Sequence, residues 1–429
     1  MVAVDNRFVT RHGRGRWFTD LRPLRESADF RRLWIGQSVS QLGQQMATVT
    51  VAYQVWVITE SPFAVGTLGI VALVPLVALG LYGGALVDHY DRRAVALWTA
   101  AGLWICTAVL LAQALLGLES VALLYGVVAV QSGLFAVNSP ARSAIIPRLV
   151  PAHLLPAANA LGMAAYNLGF TVGPLLGGVL IAWRGIGSTY AVDLLTFTAA
   201  LYALVRLPPI PPQGERRGVP GIRSVVEGIQ WLRRAPNLRM TFIVDLCAMV
   251  LAQPRALFPA LALTVYAGGP SALGLLQAAP AIGSLVAFAF SGWVSRVHRQ
   301  GVAVVVAVVA YGAAVSLAGV AAIGLPGILW LVVVMLALSG SADMVSAAYR
   351  STMLQQAAPD ALRGRLQGVF TVVVAGGPRL GEFVAGTVAE LTSEAEAMLY
   401  GGVACMVATL LVVTWQRGLL RYDARRPTP

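Results

Sequence analysis

The sequence predicts an all-α integral membrane protein with twelve transmembrane helices in two six-helix halves. Three observations carry that expectation. First, 57% of the 429 residues are apolar and only 12% are charged. A soluble domain holds about 25% charged residues, so this chain has too little charge to cover a water-facing surface. Second, continuous apolar runs recur at roughly 32–58, 63–87, 94–117, 121–143, 153–182, 187–206, 239–265, 271–295, 301–323, 327–349, 366–390 and 396–416. Each suits a helical span of ~20 residues, and none shows the ~10-residue alternation of barrel strands. Third, the chain matches itself at an ungapped offset of 208. Arg31 pairs with Arg239, Ser61-Pro62 with Gly269-Pro270, Gly66 with Gly274, Gly84 with Gly292, Arg142 with Arg350, Pro151 with Pro359, Gly173 with Gly381 and Gly178 with Gly386. A constant offset through corresponding elements points to two related halves.

In chain order, residues 1–31 are polar and Arg-rich. They contain no apolar stretch long enough for a signal peptide, and they are expected to form a cytoplasmic tail. Residues 32–206 form the first six-helix half. Residues 207–238 open with PPIPPQGERRG, and proline and charge mark them as a cytoplasmic linker. Within that linker Val225, Ile229 and Leu232 fall at helical spacing, which fits a short interfacial helix. Residues 239–416 form the second half, and 417–429 a second cytoplasmic tail. With both termini in the cytoplasm, 28 of the 31 arginines fall in inside segments, a strong positive-inside signal. The expected location is a bacterial inner membrane.

Composition also excludes chemistries. There is no lysine, so a P-loop has no phosphate-binding lysine and a Schiff base has no side-chain amine. Cys106, Cys247 and Cys405 all lie in apolar runs, which gives neither a disulfide framework nor a cysteine metal site. His12, His89, His153 and His298 fall in cytoplasmic segments, and neither HExxH nor GxSxG occurs. No enzyme is expected, and no cofactor or metal. The net charge of +12 is explained by arginines facing anionic headgroups, so no nucleic-acid partner is required. The expected partners are a small-molecule substrate and the bilayer, with the chain acting as a monomer.

Several segments carry a family resemblance. After span two the chain reads Gly84-Ala85-Leu86-Val87-Asp88-His89-Tyr90-Asp91-Arg92-Arg93. Span five contains Gly169-Phe170-Thr171-Val172-Gly173-Pro174-Leu175-Leu176-Gly177-Gly178. Later come TMLQQAAPDALRGRLQG, and Arg255-Ala256-Leu257-Phe258-Pro259-Ala260-Leu261-Ala262 in span seven. These resemble the major facilitator superfamily, and within it the enterobactin-exporter and drug–proton antiporter branch. The resemblance implies the major facilitator fold, with a cytoplasmic gate at Gly84, Asp88, Arg92 and Arg93. It also implies an export motif at Gly169, Gly173, Pro174, Gly177 and Gly178. In the second half Arg296 stands where Asp88 stands in the first, so the gate is expected to be asymmetric. Many drug-exporting relatives hold an arginine inside span four. Here Tyr125–Gly133 has none, and coupling through that residue does not carry over.

Six ionisable side chains fall inside predicted spans: Asp193, Asp245, Asp343, Glu382, Arg255 and Arg379. Each costs about 2.5–3.5 kcal/mol on insertion scales, so they must be paired, hydrated or protonated. Arg379 and Glu382 sit three apart on one helix face, where they pair locally. Asp245 and Asp343 have no local partner, and with Glu382 they are the candidates for proton coupling. Asp193 lies nearer the outer rim and reads as a hydrogen bonder. Gln37, Gln41 and Gln44, with Gln45 beside them, form a polar stripe on span one. That stripe suits either a cavity wall or an interhelical contact.

The expected function is secondary active export of a small amphipathic molecule by alternating access, driven by a proton gradient. The substrate is expected to be a siderophore of the enterobactin type or a drug. A multidrug or macrolide-type pump is the alternative, and a non-transporting membrane sensor is a rival of another class. Four intramembrane acids against two arginines leave −2, which favours a cationic or neutral molecule over an anionic catecholate.

Overall fold

The computed structural model describes residues 20–211, 227, 230–325, 327–357 and 363–425; within these, the side chains of 81–85, 87, 88, 295, 363–365, 367, 368, 370 and 371 are not described. The tail before residue 20, and Val225 and Ile229 of the predicted interfacial helix, lie outside the described residues. Among the described residues the chain is helical, without strands.

The first half comprises α1 (Ala28–Thr59), α2 (Pro62–His89), α3 (Arg92–Leu115), α4 (Val121–Leu149), α5 (Leu155–Arg184) and α6 (Ile186–Val205). The second comprises α7 (Pro236–Leu251, continuing after a break to Val265), α8 (Gly269–Ala289), α9 (Gln300–Gly324), α10 (Leu329–Ala357), α11 (Arg363–Leu391) and α12 (Glu394–Trp415). Among the described residues, ten of these elements are long and apolar enough to cross a membrane. α1, which bears the glutamine stripe, is more polar than these, and α11, which bears the Arg379–Glu382 pair, includes side chains that are not described.

Helix starts follow from local chemistry. Ser27, Ser61, Asp91, Ser120 and Ser393 each accept a backbone N–H of the first turn of the helix that follows, satisfying donors that would otherwise be orphaned. The offset of 208 holds helix by helix. Arg92 and Gln300, Val121 and Leu329, and Ile186 and Glu394 are all opening residues. Packing repeats as well. α1 lies on α5 and α6, α2 on α4, and α3 on α4 and α6, while α7 lies on α11 and α12, α8 on α10, and α9 on α10 and α12.

The halves meet through α2 against α11 and α5 against α8. A Cβ added to Gly66 would lie 2.6 Å from the Glu382 carbonyl oxygen and 3.1 Å from Cα of Gly386. One added to Gly274 would lie 2.5 Å from the Pro174 carbonyl oxygen and 3.2 Å from Cα of Gly178. Gly66 is the twin of Gly274, and Gly178 of Gly386. Two symmetric backbone contacts therefore pin the halves together at the end away from the linker. Glu390 adds a third tie there, its carboxylate accepting the Ser61 hydroxyl at 2.8 Å and the Phe63 N–H at 3.3 Å.

One test follows from this packing. Spin labels at Glu119→Cys and Gly327→Cys, twin positions at the pinned end of opposite halves, should report a short distance in a background without native cysteines. Gly178→Leu or Gly274→Leu should lengthen it by several ångströms. An unchanged distance distribution would mean the glycines do not hold this end shut.

Candidate functional site

Between the halves lies a cavity of ≈ 350 Å³, within the size range of ligand sites. Gln41, Gln44 and Gln45 line it from α1, while Gln37, one turn away, is exposed and outside its lining. Gln131 and Gln277 add polar groups from α4 and α8, which the sequence did not single out. Tyr166 and Phe170 of α5 form an aromatic pair with ring centroids 4.6 Å apart. Phe135 and Tyr166 remain 41% and 49% exposed, so the cavity is not sealed on that side.

The cavity owes its cation to a break in α7. The helix stops at Leu251 and resumes as a 3₁₀ turn at Arg255–Leu257, followed by a π turn at Leu261–Val265. Pro254 explains the stop, because it supplies no N–H and clashes with the preceding turn. Its twin in α1 is Met46, and α1 runs unbroken. The Ala252 carbonyl at the break accepts the Tyr311 hydroxyl at 3.1 Å. Arg255 sits at this discontinuity with its guanidinium 6.0 Å from the centroid of the Phe170 ring, and among the described residues no carboxylate pairs with it. Discontinuous helices build substrate sites in repeat-based transporters. Across the cavity Arg379 donates to Glu382 at 3.2 Å.

The other predicted carboxylates are elsewhere. Asp245 and Asp343 are not lone groups: both pair with Arg350, through its Nη1 to Asp245 and its Nη2 to Asp343 at 3.5 Å. The sequence reading assigned Arg350 to a cytoplasmic segment. It is instead 5% exposed inside α10. A helical arginine near a span boundary looks like a headgroup contact until the fold brings α7 beside it. Asp193 is 2% exposed and accepts the Thr107 hydroxyl at 3.0 Å. It belongs to a buried polar layer in which Thr50 bonds Thr189 at 2.9 Å, Gln54 bonds Gln113 at 3.0 Å, and the Tyr190 hydroxyl donates to Gln54 at 2.9 Å. The sequence count of −2 is therefore corrected. The lining holds Arg255, Arg379, Glu382 and Asp193, a formal sum of zero. With Arg379 paired to Glu382, Arg255 is the lining cation that forms no ion pair among the described residues.

The first-half twin of Arg350 is Arg142, only 9% exposed within α4. α4 therefore does hold a buried arginine, beyond Tyr125–Gly133. The twins of Asp245 and Asp343 are Gln37 and Phe135, so the fold supplies Arg142 with no equivalent acids, and among the described residues it forms no ion pair.

The motif residues serve distinct purposes. A Cβ on Gly169, Gly173 or Gly177 would meet α1 at Gln41, Gln45 or Met46, at 2.6, 2.5 and 3.1 Å, whereas Gly178 faces α8 of the other half. The twin face of α11 repeats this at Gly377, 3.1 Å from Met249, and Gly381, 2.7 Å from Gln253. Pro174 lies within α5 and lends its carbonyl to the Gly274 contact. Arg92 donates to the Ala144 carbonyl at 3.2 Å, and Arg93 to Leu204 and Val205 at 3.1 and 2.7 Å. These bonds tie α3 to carbonyls of α4 and α6. Gly84 and Asp88 are in the last turns of α2, but the gating role expected of them falls on side chains outside the described set.

A profile of the "Transmembrane secretion effector" family matches residues 18–424. The chain belongs to that family, within the major facilitator superfamily. It is similar to the "Enterobactin exporter EntS" of Citrobacter koseri, 27% identical over 415 residues, covering 96% of this chain and 98% of that one. The protein of the same name from Shigella boydii is 28% identical over 403 residues, covering 92% and 94%. Among solved structures, the fold is similar to a point mutant of the nucleoside transporter NupG, with TM-score 0.74 at 14% identity over 90% of this chain and all of that one. A bacterial homologue of the iron transporter ferroportin in an inward-facing state gives TM-score 0.68 at 16% identity, covering 90% and 98%. This transmembrane secretion effector is thus a multi-pass membrane exporter that handles a small molecule, and not an enzyme.

The two buried arginines make contrasting predictions. Arg350→Met leaves Asp245 an uncompensated buried charge, so it should destabilise the protein by about 3–5 kcal/mol. Arg142→Met removes a cation that has no acid partner among the described residues and should cost less than about 1 kcal/mol or stabilise. Thermal unfolding of both variants in one detergent decides; an equal loss would refute the asymmetry.

Proposed function

We propose that this exporter carries a small aromatic anion of the siderophore type out of the cell by proton antiport across a bacterial inner membrane. The observation that carries this reading is the Arg255 cation, which forms no ion pair among the described residues, at the break in α7 beside the Tyr166–Phe170 pair. A guanidinium next to aromatic faces binds an anionic ring system through charge and stacking together. The glutamines opposite offer donors and acceptors to hydroxyl and amide groups. The name borne by the Citrobacter koseri and Shigella boydii relatives supports the same substrate class.

We assign both termini and the linker to the cytoplasm on the arginine distribution; on that assignment the pinned end faces outward and the described state is inward-open. Export then requires the glycine contacts to part while the cytoplasmic rim, with the Asp88 motif, closes. Coupling is assigned to the Asp245–Arg350–Asp343 triad. Two carboxylates share one guanidinium, and a single proton makes the triad neutral. Asp343 takes that proton, because it is the farther from Arg350 and its charged form is therefore the less stabilised by the guanidinium. Glu382, held by Arg379 within the cavity wall, connects substrate occupancy to α11.

Transport in proteoliposomes tests the proposal. A catecholate should move against its gradient under an imposed pH gradient, without ATP. Asp343→Asn should abolish this uphill transport while sparing downhill exchange. Sodium-driven transport indifferent to the pH gradient would refute the coupling. Arg255→Gln should weaken the apparent affinity for the anion roughly tenfold or more, from the loss of about 1.5–3 kcal/mol in a charged hydrogen bond, and leave a cationic dye unaffected. Efficient export of the dye with none of the catecholate would overturn the substrate assignment.

A further inference from the structure

The segment joining α2 to α3 and its twin joining α8 to α9 differ in charge at two positions. Asp88 and Asp91 of the first half correspond to Arg296 and Arg299 of the second, and Ala85 corresponds to Trp293. Arg296 and Arg299 are three residues apart, both exposed, and among the described residues neither forms an ion pair. Trp293, on the same 3₁₀ segment (Ser291–Arg296), is 49% exposed.

A groove of ≈ 730 Å³ runs from this segment between α8 and α9, floored by α10. It shares no lining residue with the central cavity. Arg299 at its mouth is the one charged group in its lining. The other polar group, the Ser341 hydroxyl, is already committed to the Gly283 carbonyl at 2.8 Å. Along α9 the groove follows Val302, Val306 and Leu317, with alanines between. At ~1.5 Å per residue that stripe is roughly 22 Å long, longer than the ~15 Å half-thickness of a bilayer core. Val306 and Leu317 are more than half exposed, so the groove faces the hydrocarbon rather than the transport path.

We propose that this groove and its two arginines bind one anionic glycerophospholipid, with an acyl chain lying along α9 and the phosphate held by Arg296 and Arg299. Basic clusters at the end of apolar interhelical grooves suit anionic headgroups, each cation near the surface contributing favourably, and Trp293 suits the headgroup level. The charge inversion makes the site unique to the second half. The same position in the first half carries carboxylates, which repel a phosphate.

The test uses the purified full chain in nanodiscs of equal parts phosphatidylglycerol and phosphatidylcholine, followed by native mass spectrometry of the released protein. One phosphatidylglycerol should be retained in preference to phosphatidylcholine. Arg296→Gln combined with Arg299→Gln should reduce that preference roughly tenfold or more. Ala310→Phe, which fills the groove and leaves both arginines in place, should abolish retention. Equal retention of the two lipids, or a double variant or an Ala310→Phe protein that keeps its phosphatidylglycerol, would overturn the proposal. Displacement of the lipid by millimolar inorganic phosphate alone would do so too, since it would mark a site for free anions. If the double variant fails to fold, the wild-type preference and Ala310→Phe still decide.

Discussion

Backbone contact at one end of the molecule is the constraint on which the rest depends. Lipid tails are as apolar as leucine, so helices in a bilayer gain little from excluding solvent and must gain from close packing instead. Gly66 against Gly386 and Gly178 against Gly274 provide that proximity between the halves. A single methyl at any of the four would press on backbone, which cannot rotate away as a side chain does. Because the two contacts are twins, the halves are held symmetrically at that end. The space left between them becomes the cavity.

Within the same frame the halves have diverged. Proline at 254 against methionine at 46 breaks α7 and leaves α1 whole, so only the second half brings an arginine to the cavity through unwound backbone. The buried cation of α10 has two acids, and that of α4 has none among the described residues. The first half instead holds an uncharged layer of threonine, glutamine and tyrosine around Asp193, whose members satisfy one another. Charge handling is thus concentrated in the second half, and a hydrogen-bonded packing layer in the first.

The polar groups also sort by depth. Those of the buried layer are largely partnered by one another, with one Asp193 carboxylate oxygen left over where that residue meets the cavity. Gln41, Gln44, Gln45 and Arg255 retain unspent hydrogen-bonding capacity on the cavity side. That contrast distinguishes a wall that holds the protein together from a wall that receives a ligand.

The sequence alone determined the helical membrane class and the two related halves, because hydrophobic run length and a constant offset are properties of the chain that no packing alters. It also pointed to the close-packing glycines of α5, to the Arg379–Glu382 pair, and to Gln41 and Gln44, all of which depend on spacings within one helix. Only the tertiary structure decided which charges meet. Asp245, Asp343 and Arg350 come from α7 and α10, Arg255 reaches Phe170 from the other half, and Gly178 finds Gly274 rather than a neighbour in its own half. A helix fixes the direction in which a side chain leaves it but not what lies opposite. The net charge of the cavity, which depends on every such placement, therefore moved from −2 to a formal zero once the helices were in place.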